Sequence, residues 1–125
     1  MIPTQAQMRA TLHAYIDGFN ADDPDAIMAL FADDAVIEDP VGSPLKSRAE
    51  FEAFIRQGVK FGARLKLAAP IRGSHGNHAA MVFTVTFVQD GVRYTTNSTD
   101  VMTFDDAGKI IRMDGFWGPS DVTVG

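Results

Sequence analysis

The sequence contains no cysteine among its 125 residues, and its 11 Lys and Arg are outnumbered by 16 Asp and Glu. Without cysteine there is no disulfide framework and no thiolate metal site, and no cluster of histidines takes its place. A net charge of -5 with scattered basic residues argues against a nucleic-acid surface, which needs clustered Lys and Arg. We therefore predict a protein with no metal site and no nucleic-acid partner.

Long apolar runs are also missing from the sequence. None approaches the length that spans a membrane, and residues 1–7 have neither the basic nor the apolar region of a secretory signal. The sequence therefore predicts a cytoplasmic protein with no membrane partner. Its length and its 46% hydrophobic content suit one domain with a substantial core, residues 1–125.

The first half of the chain has the periodicity of three helices. The first helix has this apolar stripe: Met8, Leu12, Tyr15, Ile16 and Phe19. The Tyr15 hydroxyl is therefore expected to point toward the interior. A second, short helix is predicted to start at Asp23-Pro24, to bury Ile27, Leu30 and Phe31, and to end at Asp33-Asp34.

A capping box predicts the start of the third helix, because Ser47 is followed three residues later by Glu50. Its predicted apolar stripe is Phe51, Phe54, Ile55 and Val59. Gly58 and Gly62 mark the region where this helix is expected to end.

The second half alternates polar and apolar residues with a period of two, which is typical of strands. Turn sequences at residues 89–91 and 105–109 predict two hairpins. On the last strand, Ile111, Met113, Gly115 and Trp117 are predicted to share one side. Three helices followed by such a meander predict an α+β fold, with the helices packed on a curved, mainly antiparallel sheet. The concave side of the sheet would form a pocket lined by Met, Phe and Trp.

Two aspartates occupy apolar faces of predicted strands. Asp39 alternates with Ala35 and Ile37, and Asp100 alternates with Met102 and Phe104. A buried carboxylate is costly unless another group satisfies it or the protein uses it. Asp39 and Asp100 therefore suggest an acid/base pair in a pocket, where low dielectric can separate two carboxyl pKa values.

The residues also resemble the bacterial Δ5-3-ketosteroid isomerases, members of the nuclear-transport-factor-two-like superfamily. The resemblance covers nearly the whole chain, and its most specific part is the stretch at residues 31–43, FADDAVIEDPVGS, combined with the distant Tyr15 and Asp100. It implies a conical α+β fold and a steroid Δ-isomerase that needs no cofactor. That fold hosts enzymes and non-enzymes alike, so the fold alone does not fix the function.

The resemblance implies roles for individual residues. Asp39 matches the general base that moves a proton from C4 to C6 of a 3-oxo-Δ5 steroid, and Tyr15 and a protonated Asp100 match the donors to the dienolate oxygen. This family is an established example of a carboxylic acid kept neutral by its apolar site. The residues expected to contact the apolar steroid substrate are Phe19, Phe54, Ile55, Met81, Phe83, Ser98, Met113 and Trp117. A homodimer through the convex face of the sheet is also implied.

Three residues depart from the family pattern. Ile55 and Phe31 stand where family members often have tyrosines, so Tyr15 is expected to lack a hydroxyl partner and to donate somewhat more weakly. Ser98 is more polar than the aliphatic residue usual at its position. The particular steroid and the catalytic efficiency are therefore expected to differ from those of the family's better-known members.

Two other functions fit the same pattern. One is a related small-domain enzyme, of the polyketide cyclase or epoxide hydrolase type, which would use an internal acid on another apolar substrate. The other is a non-catalytic module that binds an apolar ligand.

Overall fold

The computed structural model of the protein describes residues 2–125, which form three α-helices and seven strands. The helices are α1 (Gln5–Asn20), α2 (Pro24–Met28) and α3 (Arg48–Lys60). The strands are β1 (Phe31–Glu38), β2 (Lys46–Ser47), β3 (Arg64–Leu67), β4 (His78–Gln89), β5 (Val92–Phe104), β6 (Ile110–Phe116) and β7 (Val122–Val124). A short 3-10 helix, Pro119–Asp121, precedes β7.

Helix α1 has the predicted stripe, and all five of its apolar residues are buried. It begins with a capping box in which the Thr4 hydroxyl accepts from the Gln7 N–H and the Gln7 side chain accepts from the Thr4 N–H. These bonds satisfy backbone groups that have no partner within the helix. The stripe holds Tyr15 on the inner side of the helix, as predicted.

The prediction for α2 was right at its start and wrong at its end. The Asp23 side chain caps the helix, and Pro24 opens it. The helix ends at Met28, however, and Phe31 begins β1, in which Asp33 and Asp34 are strand residues. The reason is a long-range pairing, because Phe31 lies opposite Ile110 on β6.

The capping box of Ser47 and Glu50 at the start of α3 is confirmed. Phe51 and Ile55 are fully buried, whereas Phe54 is 49% exposed and was wrongly placed on the core stripe. Its ring stacks on that of Phe51, with centroids 6.1 Å apart. The Lys46 ammonium lies 5.6 Å from the center of the Phe54 ring.

The strands form one sheet in the order β2-β1-β6-β5-β4-β3, and β7 pairs with β5. Only β1 and β6 run parallel among the pairs of the described residues. Strand β5 is long enough to pair with β6 through residues 99–104 and with β7 through residues 94–96. This curved, mostly antiparallel sheet with three helices is the predicted α+β fold.

Both predicted hairpins are present. Asp90 and Gly91 have φ of 53° and 78° between β4 and β5, a left-handed conformation that Asp and Gly tolerate better than most residues. The second turn, at residues 105–109, leads into a bulge at the start of β6. Because of that bulge, Ile110 rather than Ile111 is fully buried opposite Phe104. The predicted placement of Ile111 is corrected accordingly.

None of the helices in the described part of the chain is both long enough and apolar enough to span a membrane.

Candidate active site

Asp100 lies in the middle of β5 and is covered on both sides by neighbouring strands. It is opposite Met81 of β4 and Gly115 of β6, and it is only 2% exposed. Burial is the main reason why the pKa of Asp100 is raised well above the usual value of a carboxyl group, and the nearby charge of Asp39 adds to it. Asp100 therefore holds its proton more tightly than an ordinary carboxyl group does.

Asp39 directly follows β1, where the chain enters an exposed loop. The Trp117 indole N–H donates to Asp39 Oδ1 at 3.0 Å, and the Lys46 ammonium donates to the Asp39 backbone carbonyl at 2.8 Å. Partial burial raises the pKa of Asp39, while the bond from Trp117 and the charge of Lys46 oppose that increase. Asp39 therefore ionises more readily than Asp100.

The loop after Asp39 is fixed by hydrogen bonds to the end of the sheet. The Val41 N–H donates to the Gly115 carbonyl at 2.7 Å, and the Gly42 N–H donates to Glu38 Oε2 at 2.8 Å. Glu38 also accepts from Arg112 at 2.9 Å, so it is held in an ion pair rather than simply solvated. These bonds position the residue that precedes the loop, Asp39.

Gly115 separates the two carboxyl groups, and only a glycine fits there. A Cβ atom at this position would lie 2.6 Å from Asp39 Cγ and 3.2 Å from Asp100 Oδ1. The Asp39 and Asp100 carboxyl groups are therefore no farther apart than the sum of those two distances. Their closeness explains why the charge of one raises the pKa of the other.

Tyr15 reaches the same region from α1. Burial raises the pKa of Tyr15 well above its usual value, and the charges of Asp100 and Asp39 raise it further. Its ring contacts those of Phe19 and Phe31, with centroids 5.2 and 6.2 Å away. Within the described residues, neither the Tyr15 hydroxyl nor the Asp100 carboxyl has a hydrogen-bond partner, so both can bind a ligand oxygen.

Tyr15, Asp39 and Asp100 all line one cavity of about 410 Å³ between the helices and the concave face of the sheet. This volume lies in the range of small-molecule sites. The other lining residues are Phe19, Phe54, Gln57, Gly58, Phe61, Ala63, Leu65, Phe83, Val85, Phe87, Gln89, Tyr94, Thr96, Ser98, Trp117 and Val122. The lining is predominantly apolar around the two acids.

Five of the eight predicted substrate contacts line this cavity: Phe19, Phe54, Phe83, Ser98 and Trp117. The other three, Ile55, Met81 and Met113, are fully buried in the core and do not line it. The core position of Ile55 follows from the helix stripe that it shares with Phe51. Met81 and Met113 lie deeper along their strands than the cavity extends.

Sequence reasoning missed the outer part of the cavity. The far half of the β4–β5 hairpin supplies Val85, Phe87, Tyr94 and Thr96. Val85 and Phe87 alternate with Phe83 along β4, and extending the same alternation along β5 from Asp100 would have found Thr96 and Tyr94.

Residues 2–125 contain no group of three or more His, Cys, Asp or Glu side chains arranged to hold a metal ion.

The fold and the paired acids define a class of protein, and the family comparison agrees with it. The SnoaL-like domain family matches residues 12–113. The chain therefore belongs to the SnoaL-like family, in the nuclear-transport-factor-two-like class of conical α+β domains.

A relative of known activity makes the relationship more specific. The chain is 38% identical over 120 residues to a steroid Delta-isomerase of Nocardioides simplex, covering 95% of this chain and 96% of the relative. A solved structure of the epoxide hydrolase/cyclase-like enzyme SalBIII, which has a role in pyran ring formation in the polyether salinomycin, superimposes with a TM-score of 0.88. That pair shares 27% identity over 96% of this chain and 97% of the other. The resemblance to steroid isomerases is thus confirmed.

Proposed function

We propose that the protein is a steroid Δ-isomerase that converts 3-oxo-Δ5 steroids to 3-oxo-Δ4 steroids. The observation that carries this proposal is the pair of carboxyls on either side of Gly115 in a single apolar cavity, where the pKa of Asp100 is raised well above its usual value. The related steroid isomerase at 38% identity supports the same reaction.

The reaction moves one proton between two carbons of the substrate. The Asp39 carboxylate removes a proton from C4, and the electrons of that C–H bond form a dienolate with the negative charge on the C3 oxygen. Asp39 then returns the proton to C6, which leaves the double bond between C4 and C5. Because the proton returns, the reaction needs no redox partner and no co-substrate.

Tyr15 and protonated Asp100 donate hydrogen bonds to the C3 oxygen. That oxygen gains charge as the dienolate forms, so fixed donors in a water-poor site stabilise the transition state more than the ketone. Both donors are buried and free of competing partners among the described residues. The high pKa of Asp100 keeps its proton in place at the pH at which Asp39 is ionised.

The surroundings of Tyr15 predict that its hydroxyl is a weaker hydrogen-bond donor than it would be with tyrosine partners at positions 31 and 55. Ile55 is fully buried and has no hydroxyl, and Phe31 contacts the Tyr15 ring only with its own ring. Nothing therefore polarises the Tyr15 hydroxyl through a hydrogen bond. We expect Asp100 to contribute the larger share of the stabilisation of the dienolate.

A spectrophotometric assay tests the proposal. Purified protein is mixed with 5-androstene-3,17-dione, and the absorbance of the conjugated enone is followed over time. We expect rapid growth of this absorbance, and none above background in the variant Asp39→Asn. Binding of the steroid without turnover by the wild-type protein would instead show a non-catalytic module.

The structural match to an epoxide hydrolase/cyclase-like enzyme favours a second candidate function. Neutral Asp100 could protonate an epoxide oxygen while the Asp39 carboxylate activates a hydroxyl or water nucleophile that opens the ring. A hydrolase would also need polar side chains to hold that water, and Ser98 is the nearest along β5 that lines the cavity. Opening of an apolar epoxide, with no isomerisation of the steroid, would support this function.

We further propose a homodimer through the convex face of the sheet. Its outward residues include Thr84, Thr86, Thr95, Thr99, Arg112 and Phe116. Phe116 is 47% exposed, and Val82 and Val88 are exposed on the same face. A two-fold contact here is self-complementary, and its threonines suit a polar, hydrated interface.

Sedimentation at micromolar concentration tests this assembly. We expect the wild-type protein to be a dimer and the variant Thr99→Glu to shift toward monomer, because the two-fold axis brings the added charges together. His13→Glu, on an exposed side of α1, is the control. A fully active wild-type monomer would contradict the proposal.

A further inference from the structure

The two strands of the β4–β5 hairpin present side chains of different polarity to the cavity. Along β4 the inward residues are Phe83, Val85 and Phe87, which are all apolar. The residues opposite them on β5 are Ser98, Thr96 and Tyr94, in that order, and each bears a hydroxyl group. All six line the cavity. On this face of the sheet, a row of apolar side chains on β4 thus lies beside a row of hydroxyls on β5 that leads away from Asp100.

Two of the residues that carry these hydroxyls are largely buried. Ser98 is 7% exposed and Thr96 is 8% exposed. No described residue hydrogen-bonds to either hydroxyl, although both residues line the cavity. Both hydroxyls are reachable from the cavity, and a purely apolar ligand that covered them would leave them without hydrogen bonds. The two hydroxyls therefore point to a ligand group that satisfies them.

The position of the pair within the cavity restricts where that group lies on the ligand. Ser98 is two residues and Thr96 four residues from Asp100, which at about 3.3 Å per residue places them roughly 7 and 13 Å along the strand. Beyond them the stacked rings of Phe61, Phe87 and Tyr94 form an aromatic end to the cavity. Ser98 thus lies beside the middle rings of a bound polycycle, and Thr96 lies between those rings and the far end.

We infer that the site is built for a polycyclic ketone with a second oxygen substituent on a middle ring, hydrogen-bonded by Ser98 and Thr96. This inference rests on the proposed function, which places the C3 oxygen at Tyr15 and Asp100. Rings B and C of the steroid then lie over this face of the sheet, from Ser98 toward Thr96, with Phe83 and Val85 beside them. Ser98 and Thr96 are specificity-determining residues in this arrangement, not catalytic ones.

Equilibrium binding of product-like steroids tests the inference without turnover. The reference ligand is 4-androstene-3,17-dione, and the panel consists of its monohydroxylated derivatives on ring B or ring C, with both epimers at each carbon. We expect at least one derivative to bind the wild-type protein about fivefold more tightly than the reference, the size of one net hydrogen bond. The double variant Thr96→Val/Ser98→Ala should lose that preference.

Thr103→Val is the matched control, because Thr103 is on β5 but faces away from the cavity; it should keep the preference. The inference is wrong if the reference binds as tightly as every derivative, or if the preference persists in the double variant. If no steroid binds, the proposed function is wrong as well. Equal binding of all steroids together with isomerase activity would contradict only the inference.

Discussion

Asp39 and Asp100 are the same residue type in one cavity, yet their surroundings act differently on their pKa values. Asp39 stands at the end of a strand, beside an exposed loop, with an indole N–H and a lysine nearby. Asp100 stands in the middle of a strand between two others and has no hydrogen bond from any described residue. The acid at the strand end therefore ionises more readily than the acid within the sheet.

This difference shows how one fold can provide both a base and a hydrogen-bond donor from carboxyl groups. Both pKa values are raised by burial, but only that of Asp39 is offset by favourable contacts with its charged form. In the proposed mechanism, the roles of the two acids follow from their positions in the sheet rather than from residue type. Four substitutions test this difference, and they are given in order of decreasing expected effect.

Asp39→Asn removes the base and leaves the donors intact. We expect kcat to fall at least about a hundredfold, the range for loss of a general base, with binding of an equilenin-like phenol unchanged. The enone absorbance measures kcat, and Asp33→Asn, at an exposed position of the same strand, is the control. Activity within a few-fold of the wild type would show that Asp39 is not the base.

Asp100 is tested by comparing two replacements. Asp100→Leu removes a donor to the dienolate oxygen and should lower kcat about a hundredfold. Asp100→Asn keeps an N–H donor and should lower kcat only about tenfold. The same assay measures both variants. Equal losses would mean that the carboxyl has a structural role and is not a donor.

Gly115→Ala tests the closeness of the two acids. The added methyl group would overlap the Asp39 carboxyl, which must rotate away from Trp117. We expect kcat to fall about tenfold, because a misplacement of about 1 Å can cost even more than that. Gly76→Ala is the matched control, since a Cβ atom there meets nothing within 4 Å. An unchanged kcat with both thermal unfolding curves normal would contradict the spacing argument.

Trp117→Phe removes a hydrogen bond that favours the charged form of Asp39. The pKa of Asp39 should therefore rise, and the acidic limb of the profile of kcat/KM against pH should move to higher pH. We expect a smaller shift than the loss of a full opposite charge would give, because Trp117 is neutral and partly exposed. A limb that stays in place or moves to lower pH would contradict this role.

The sequence predicted the three groups of the candidate site because each follows a local rule. Helical spacing placed Tyr15 on the inner side of α1, and strand alternation placed Asp39 and Asp100 on inner faces. Turn residues predicted both hairpins for the same reason, since φ near +60° restricts the residues that fit.

The errors arise where long-range contacts decide the structure. Phe31 has the spacing of a helix residue but joins β1, because β6 offers it a strand partner far along the chain. Strand β7 has no local signal and forms only because β5 has a free edge at residues 94–96. The sequence likewise could not predict that Ile55, Met81 and Met113 lie below the cavity. The periodicity of apolar residues shows which face of an element points inward, but not how deep the cavity extends.

The parallel pairing of β1 with β6 also affects the order in which parts of the structure form during folding. Ile37 lies opposite Met113, so the strand that ends next to Asp39 acquires Gly115 and Trp117 only when a distant segment docks beside it. The β4–β5 hairpin can close locally, whereas such distant pairings form slowly. Consider a folding intermediate in which the apolar cavity has formed but β6 has not yet docked. Such an intermediate could bind a ligand, but it could not hold the proposed base, Asp39, in place. Catalytic competence is therefore expected to be gained after ligand binding during refolding.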